Sequence, residues 1–130
     1  MSANLSVFLN FNGNCADVLA FYADVFKAET GRVMKYSDAP GSDSADDRIM
    51  YSEMVIGGLN VMFCDTSPDN FVLGNNFTMT HMDSNLEETR RVFDALAEGG
   101  KINMELEKTF FSELYGMVTD KFGINWNIMA

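Results

Sequence analysis

An internal repeat constrains this chain more than any other feature of it. Residues 77–100, FTMTHMDSNLEETRRVFDALAEGG, read as a strand, a capped helix and a glycine stop. A looser copy, VFLNFNGNCADVLAFYADVFKAE, begins at Val7. Val7 aligns with Phe77, Leu9 with Met79, Asn14 with Ser84 and Phe26 with Leu96, a constant offset of 70 residues. In a chain of 130 residues an offset near half the length predicts two similar modules rather than one continuous fold.

In the first copy Val7, Leu9 and Phe11 alternate with Phe8, Asn10 and Asn12, which predicts a half-buried strand. Gly13 bends the chain, and Asn14 stands as an N-cap with Asp17 three residues on. Val18, Leu19, Tyr22, Val25 and Phe26 then recur at helical spacing and lay one stripe on a sheet. A second strand is expected from near Gly31, with Val33, Met34 and Tyr36 as its members. Residues 37–47, SDAPGSDSADD, are acidic, small and turn-rich, the pattern of an exposed, mobile loop. Gly57-Gly58 joins two further strands, Ile49–Ile56 and Leu59–Asp65, as a hairpin.

Residues 67–75 hold a proline and Gly74 and mark the seam between modules. In the second copy, residues 77–82 form the first strand and Ser84 with Glu87 reads as a capping box. Leu86, Val92, Phe93 and Leu96 are the buried stripe of its helix, which Gly99-Gly100 terminates. Lys101–Glu107 alternates Ile102, Met104 and Leu106 against Asn103, Glu105 and Glu107. Tyr115–Thr119 and Asn125–Met129 form a closing hairpin. The order strand–helix–three strands thus occurs twice. The expectation is an α+β chain, a single domain over residues 1–130 with modules at about 5–66 and 76–130.

Composition narrows the partners. A net charge of −10 repels polyphosphate backbones and anionic headgroups, which argues against nucleic acid and against a membrane surface. Apolar residues at 47% and charged residues at 22% fit a folded chain rather than a disordered one. No apolar run approaches the ~18 residues of a spanning helix, and the polar start MSANLS is not a signal peptide, so a cytoplasmic location is expected. Cys15 and Cys64 have no metal-ligand spacing and read as buried thiols rather than a disulfide.

A four-stranded sheet covered by one helix keeps its other face free, and two such faces curved together enclose a cleft. Residues opposite the helix-facing stripes should line it: Phe8 and Asn10, Tyr51 and Glu53, Thr78 and Thr80, with Trp126 as a wall. Phe111 and Tyr115, beside Phe110, are placed for its rim. Glu53, a carboxylate on a mid-sheet strand, is the candidate general base, with Tyr51 as proton donor. It reads equally well as an exposed cross-strand partner of a basic residue. His81 occupies the Phe11 position of the repeat, on the helix-facing stripe, and reads as a hydrogen-bonded structural residue. The glycine pairs do not make G-x-G-x-x-G, so no nucleotide cradle and no cofactor are expected.

The stretches FNGNCADVLAFYADVF, IGG within a hairpin, LAEGGKINMELEKTFF and GMVTDKFGINW together resemble the PhnB-like branch of the vicinal oxygen chelate superfamily. That superfamily contains glyoxalases, bleomycin-resistance proteins and extradiol dioxygenases. The resemblance covers nearly the whole chain and is most specific over residues 99–126. It implies a glyoxalase-like fold, two βαβββ modules forming a cleft-enclosing curved sheet, in a homodimer. Chains of this branch are also described as 3-demethylubiquinone 3-methyltransferase-like. Metal-using relatives draw ligands from the first and fourth strands of each module, which here places Val7, Met62, Phe77 and Asn127 at those positions. A one-residue register slip would substitute Phe8, Phe63, Thr78 and Trp126. Neither set offers His, Asp or Glu, so no bound metal is expected. The branch also often carries His where this chain has Tyr51, and Trp where it has Phe111.

Three functions follow as expectations. The first is a metal-free small-molecule-binding protein with an aromatic-lined cleft. The second is an isomerase or lyase using Glu53 as general base. The third is a metal-dependent enzyme with displaced ligands drawn from His81, Glu53, Glu105 or Glu107.

Overall fold

Alternation and helical periodicity in the first half of the chain produce β1 (Val7–Phe11), α1 (Cys15–Phe26), β2 (Met34–Lys35), β3 (Ile49–Ile56) and β4 (Leu59–Asp65). The second half produces β5 (Met79–Met82), α2 (Leu86–Ala97), β6 (Lys101–Glu107), β7 (Tyr115–Thr119) and β8 (Asn125–Met129). The structure, a computed structural model, describes residues 3–130. They fall into two units, one ending at Val72 and the other spanning Leu73–Ala130. Each unit holds one four-stranded sheet, ordered β1-β4-β3-β2 in the first and β5-β8-β7-β6 in the second. In both, the outer pair that includes the first strand is parallel and the remaining pairs are antiparallel. The βαβββ plan therefore occurs twice, in an α+β fold.

In the first unit Leu9 and Phe11 of β1, Val61 and Phe63 of β4 and Met54 of β3 are buried with Val18, Tyr22 and Val25 of α1. The Tyr22 ring meets Phe63 edge-on at 6.0 Å, and Phe11 stacks on Phe63 at 6.4 Å. The hairpin between β3 and β4 turns at Gly57 and Gly58, with φ of 58° and 85°. Two left-handed residues in succession match the twist of the strands, and only glycine adopts them without a steric cost.

The entry to α1 departs from expectation. Asn14 precedes the helix but its side chain makes no capping bond. The carboxylate of Asp65, at the end of β4, takes that role by accepting from Gly13 N at 2.8 Å and Cys15 N at 3.0 Å. Its second oxygen accepts from Ile49 N at 3.0 Å, where β3 begins. Asp65 is 1% exposed, so one buried side chain joins the end of one strand to the starts of a helix and of another strand. The second strand is shorter than expected. It keeps only Met34 and Lys35, while Thr30 forms an isolated bridge with Met54. The acidic segment that follows folds back on itself, with Tyr36 N bonded to Arg48 O, Ser37 N to Asp46 O, and the Arg48 guanidinium on Asp46 at 3.0 Å.

In the second unit Val92, Phe93 and Leu96 of α2 are buried with Leu106, Val118, Trp126 and Ile128 of the sheet. The helix cap lies one residue later than the Ser84 box: Asn85 is the N-cap, and its side chain accepts from Glu88 N at 3.0 Å. Strand β5 begins at Met79 rather than Phe77. Along β6 the expected burial of alternate residues holds only for Leu106, since Ile102 and Met104 are exposed. This strand is the outer edge of its sheet, and its pairing with β7 shifts register twice, which breaks the alternation. At the far end, Asp120 accepts from Phe122 N at 2.9 Å, Ile124 N at 3.1 Å and the Trp126 indole N–H at 3.0 Å. Among the described residues no helix is long and apolar enough to cross a membrane.

Replacing Asp65 with Asn puts an N–H₂ group where one carboxylate oxygen accepts, and leaves at least one buried backbone N–H without a partner. The expected loss is about 3 kcal/mol of unfolding free energy, read from urea denaturation. A loss below about 0.5 kcal/mol, the range of ordinary surface changes, would show that these bonds carry no stability.

Candidate functional site

Each sheet has its helix on one face, so the chemistry of the other face is set by the residues that alternate with the core. In the first unit the pairing places Phe8 opposite Met62 and Met62 opposite Glu53, a row across three strands. Asn10 and Cys64 form the next row, and Tyr51 pairs with Met34 on the outer strand. Phe8 and Tyr51 meet edge-to-face with centroids 6.1 Å apart. The Tyr51 hydroxyl donates to Glu53 Oε2 at 2.5 Å. Phe8, Asn10, Tyr51 and Glu53 are thus on one face, and the Tyr51–Glu53 pair is directly bonded.

Two neighbours shape that pair. Gly31 N donates to the Glu53 carbonyl at 2.8 Å, and a Cβ at Gly31 would stand 2.8 Å from Glu53 Cγ, so only glycine permits this approach. The Arg32 guanidinium lies 5.7 Å from the centroid of the Tyr51 ring. The Tyr51 phenol is held above its ordinary value, first by its hydrogen bond to Glu53 and then by desolvation and the Glu53 charge, with Arg32 opposing. At neutral pH Tyr51 is therefore a hydrogen-bond donor fixed on a carboxylate. Beside it, the Cys64 thiol donates to Asn10 Oδ1 at 3.1 Å. Both cysteines are free and buried, and burial pushes both thiols up, away from the thiolate that a nucleophile requires.

In the second unit a cavity of about 730 Å³ opens on the sheet, bordered by Thr78 and Trp126 of the expected set. Its polar wall is one that sequence reasoning missed. Asn103 Nδ2 donates to Thr119 Oγ1 at 2.9 Å, and Thr119 Oγ1 donates to Asn125 Oδ1 at 2.6 Å, a chain of bonds across β6, β7 and β8. The available signal was the alternation itself, because Thr119 and Asn125 alternate with the core residues Val118, Ile124 and Trp126, and Asn103 with the apolar Ile102 and Met104. Thr80 pairs with Asn127 and is exposed, and Asn127 Oδ1 is buried without a hydrogen-bond partner.

Trp126 stands differently from its expected role as a wall. It pairs with Met79 as Phe63 pairs with Leu9, so the repeat makes it the counterpart of a core phenylalanine. Its side chain is 2% exposed and its indole N–H is bonded to Asp120, so it borders the cavity from the core side. Phe111 and Tyr115 do come together, with rings edge-on at 5.1 Å. Phe111 lines a separate hollow of about 360 Å³ with Phe110 and Ser112.

Of the positions that the family resemblance assigns to a metal, Val7 pairs with Val61 and Phe77 precedes β5, while Met62 faces Phe8 across the first sheet and Asn127 faces Thr80 across the second. A ring, a thioether, a hydroxyl and an amide do not fit a hard divalent ion. Among the described residues no three His, Cys, Asp or Glu side chains gather as an ion's ligands would, which includes His81, Glu53, Glu105 and Glu107.

Comparison with known proteins places this geometry in context. Residues 3–129 match the family model described as 3-demethylubiquinone-9 3-methyltransferase. The chain is 35% identical to protein YjdN of Escherichia coli K12, over 95% of this chain and 92% of that one. Among solved structures it resembles protein PA1353 from Pseudomonas aeruginosa, with a TM-score of 0.88 at 29% identity, covering 98% of this chain and 97% of that one. It also resembles the PhnB protein from Bacillus cereus, with a TM-score of 0.83 at 25% identity, covering 98% of each chain.

His81 lies on the helix side of its sheet, paired with the core residue Ile128. Burial lowers its pKa below the ordinary 6.5, with Asp83 and Glu88 opposing and Arg91 assisting. Above pH about 6.5 the imidazole is neutral in both folded and unfolded chains. As the pH falls below that value the unfolded chain takes up a proton first, so stability declines until the lowered folded pKa is passed. An NMR titration of this single histidine is expected to give a value below 6.5. His81→Phe, which copies Phe11, is expected to flatten the stability profile between neutral pH and the lowered value. A measured pKa above 6.5 would contradict the assignment.

Proposed function

The chain belongs to the 3-demethylubiquinone-9 3-methyltransferase family, in the PhnB-like branch of the vicinal oxygen chelate superfamily, and on that footing we propose that it is a small-molecule-binding protein. In this reading it binds its ligand on the open sheet faces, without a metal ion, as the homodimer that the resemblance implies. The observation that carries the reading is the cluster on the first sheet. Phe8 and Tyr51 supply apolar ring surface beside a carboxylate that is already hydrogen-bonded and held in place. A few fixed polar groups set among apolar surface are the usual makings of a ligand site. The amide and hydroxyl chain of the second sheet adds orienting groups of a different kind.

Methyl transfer is not part of this reading. A nucleotide-bearing methyl donor is held where a glycine-rich turn leads from a strand into a helix. Here the turn from β1 into α1 holds a single glycine, Gly13, while Gly57-Gly58 sits at a hairpin tip and Gly99-Gly100 follows a helix.

The Tyr51–Glu53 bond also favours a second reading, an isomerase or lyase in which Glu53 removes a proton and Tyr51 supplies one. A thermal-shift screen of the purified protein, repeated with Glu53→Gln and accompanied by assays for turnover, separates the two. The binder reading expects ligands that stabilise both forms, by about 2.7 kcal/mol at a hundredfold excess over Kd for the wild type, and turnover by neither. Turnover by the wild type that Glu53→Gln abolishes would establish the enzyme instead. Stoichiometric Zn, Ni, Mn or Fe in the purified protein would overturn the metal-free reading.

A further inference from the structure

We infer that the cavity of the second unit binds a small aromatic carboxylate, with its charged group held between Lys101 and Asn125. The inference starts from the direction of the hydrogen bonds. Thr119 has one hydroxyl proton and gives it to Asn125 Oδ1, while its oxygen accepts from Asn103 Nδ2. The chain of bonds is therefore polarised. Its Asn125 end has engaged the amide oxygen once and presents the two N–H donors of Nδ2. Lys101 pairs with Thr119 on the neighbouring strand and contributes an ammonium group to the same cavity. Lys101 is the one charged side chain among the residues that line the cavity, and the hydroxyl of Thr78 is a further donor.

Such a donor-rich wall selects an acceptor, and one ammonium group matches one negative charge. A chain of net charge −10 repels anions at long range, so an anion that binds here is selected by these local groups rather than by the overall field. The remaining lining holds one more amide, Asn75, and the apolar side chains of Leu73 and Met117, with the buried Val118 and Trp126 behind them. That surface suits a flat hydrocarbon body, and about 730 Å³ accommodates an aryl ring together with its carboxylate. Nothing in this arrangement calls for a reaction, and binding alone is inferred.

The inference rests on the open sheet faces being ligand surfaces, but it has its own test. Titration of the full-length ¹⁵N-labelled protein with benzoate is expected to shift the side-chain amides of Asn103 and Asn125, with saturation. Benzamide, which has the same shape without the charge, is expected to bind about tenfold more weakly, the scale of one charge-assisted hydrogen bond. Lys101→Met is expected to lower benzoate affinity about tenfold, leave benzamide unchanged and leave Tm unchanged, because Lys101 is exposed. The inference is overturned by the absence of saturable shifts, by equal affinity for benzoate and benzamide, or by an unaltered benzoate affinity in Lys101→Met. A ligand from the thermal-shift screen that maps to Phe8, Tyr51 and Glu53, while benzoate leaves this cavity untouched, would sink the inference and leave the proposed function standing.

Discussion

A carboxylate buried among backbone N–H groups holds the first unit together where its hydrogen-bonded ladders end. Asp65 accepts from Gly13, Cys15 and Ile49, and its own carbonyl accepts from the Tyr36 hydroxyl at 2.7 Å. The donors at a helix entry and at the start of a strand have no partner within their own element, and burial makes each one costly to leave unpaired. A single side chain answers several of these needs, and three N–H donors offset the cost of removing a carboxylate from water. Asp120 does the same for the closing hairpin of the second unit, with two backbone donors and the indole of Trp126. Satisfied in this way on the helix side, the sheets keep their other faces free for chemistry unrelated to folding.

Those two faces have diverged. The first carries rings around a bonded phenol and carboxylate, with Gly31 kept small so that Glu53 fits against the backbone. The second carries amides and hydroxyls joined in sequence across three strands. The βαβββ frame is shared with PA1353 and PhnB, yet two positions that the resemblance assigns to metal ligands, Met62 and Asn127, hold a thioether and an amide, with Phe8 and Thr80 opposite them. A frame fixed by core packing and buried carboxylates tolerates such exchange, because none of these residues belongs to the helix-facing core.

Much of this was legible in the residues, and the exceptions share a cause. The repeat, both helices, the Gly57-Gly58 hairpin and the helix-side placement of His81 follow from period and turn chemistry, which are local. Phe8, Asn10, Tyr51 and Glu53 share a face because alternation survives folding along β1 and along β3 from Tyr51 onward. The cap of α1 escapes a local reading because its acceptor comes from Asp65, some 50 residues away in the chain, whereas the cap of α2 is local and lies at Asn85, the neighbour of Ser84. The sequence alone suggests Trp126 as a cleft wall, although its neighbour Asn127 occupies that face. A one-residue choice of register decides such a reading, and pairing with β5 settles it. The polar chain through Asn103, Thr119 and Asn125 escaped notice because each residue alone looks like an ordinary surface position. Only the alignment of three strands brings them together.

The most direct test of the central claim, that a buried carboxylate ties these segments together, is hydrogen–deuterium exchange followed by NMR at the amides of Gly13, Cys15 and Ile49. If Asp65 holds them, their exchange should be as slow as that of the core amides of β3 and β4, opening only with global unfolding. Exchange at the fast rate of the exposed segment at 37–47 would show that the carboxylate does not organise the unit.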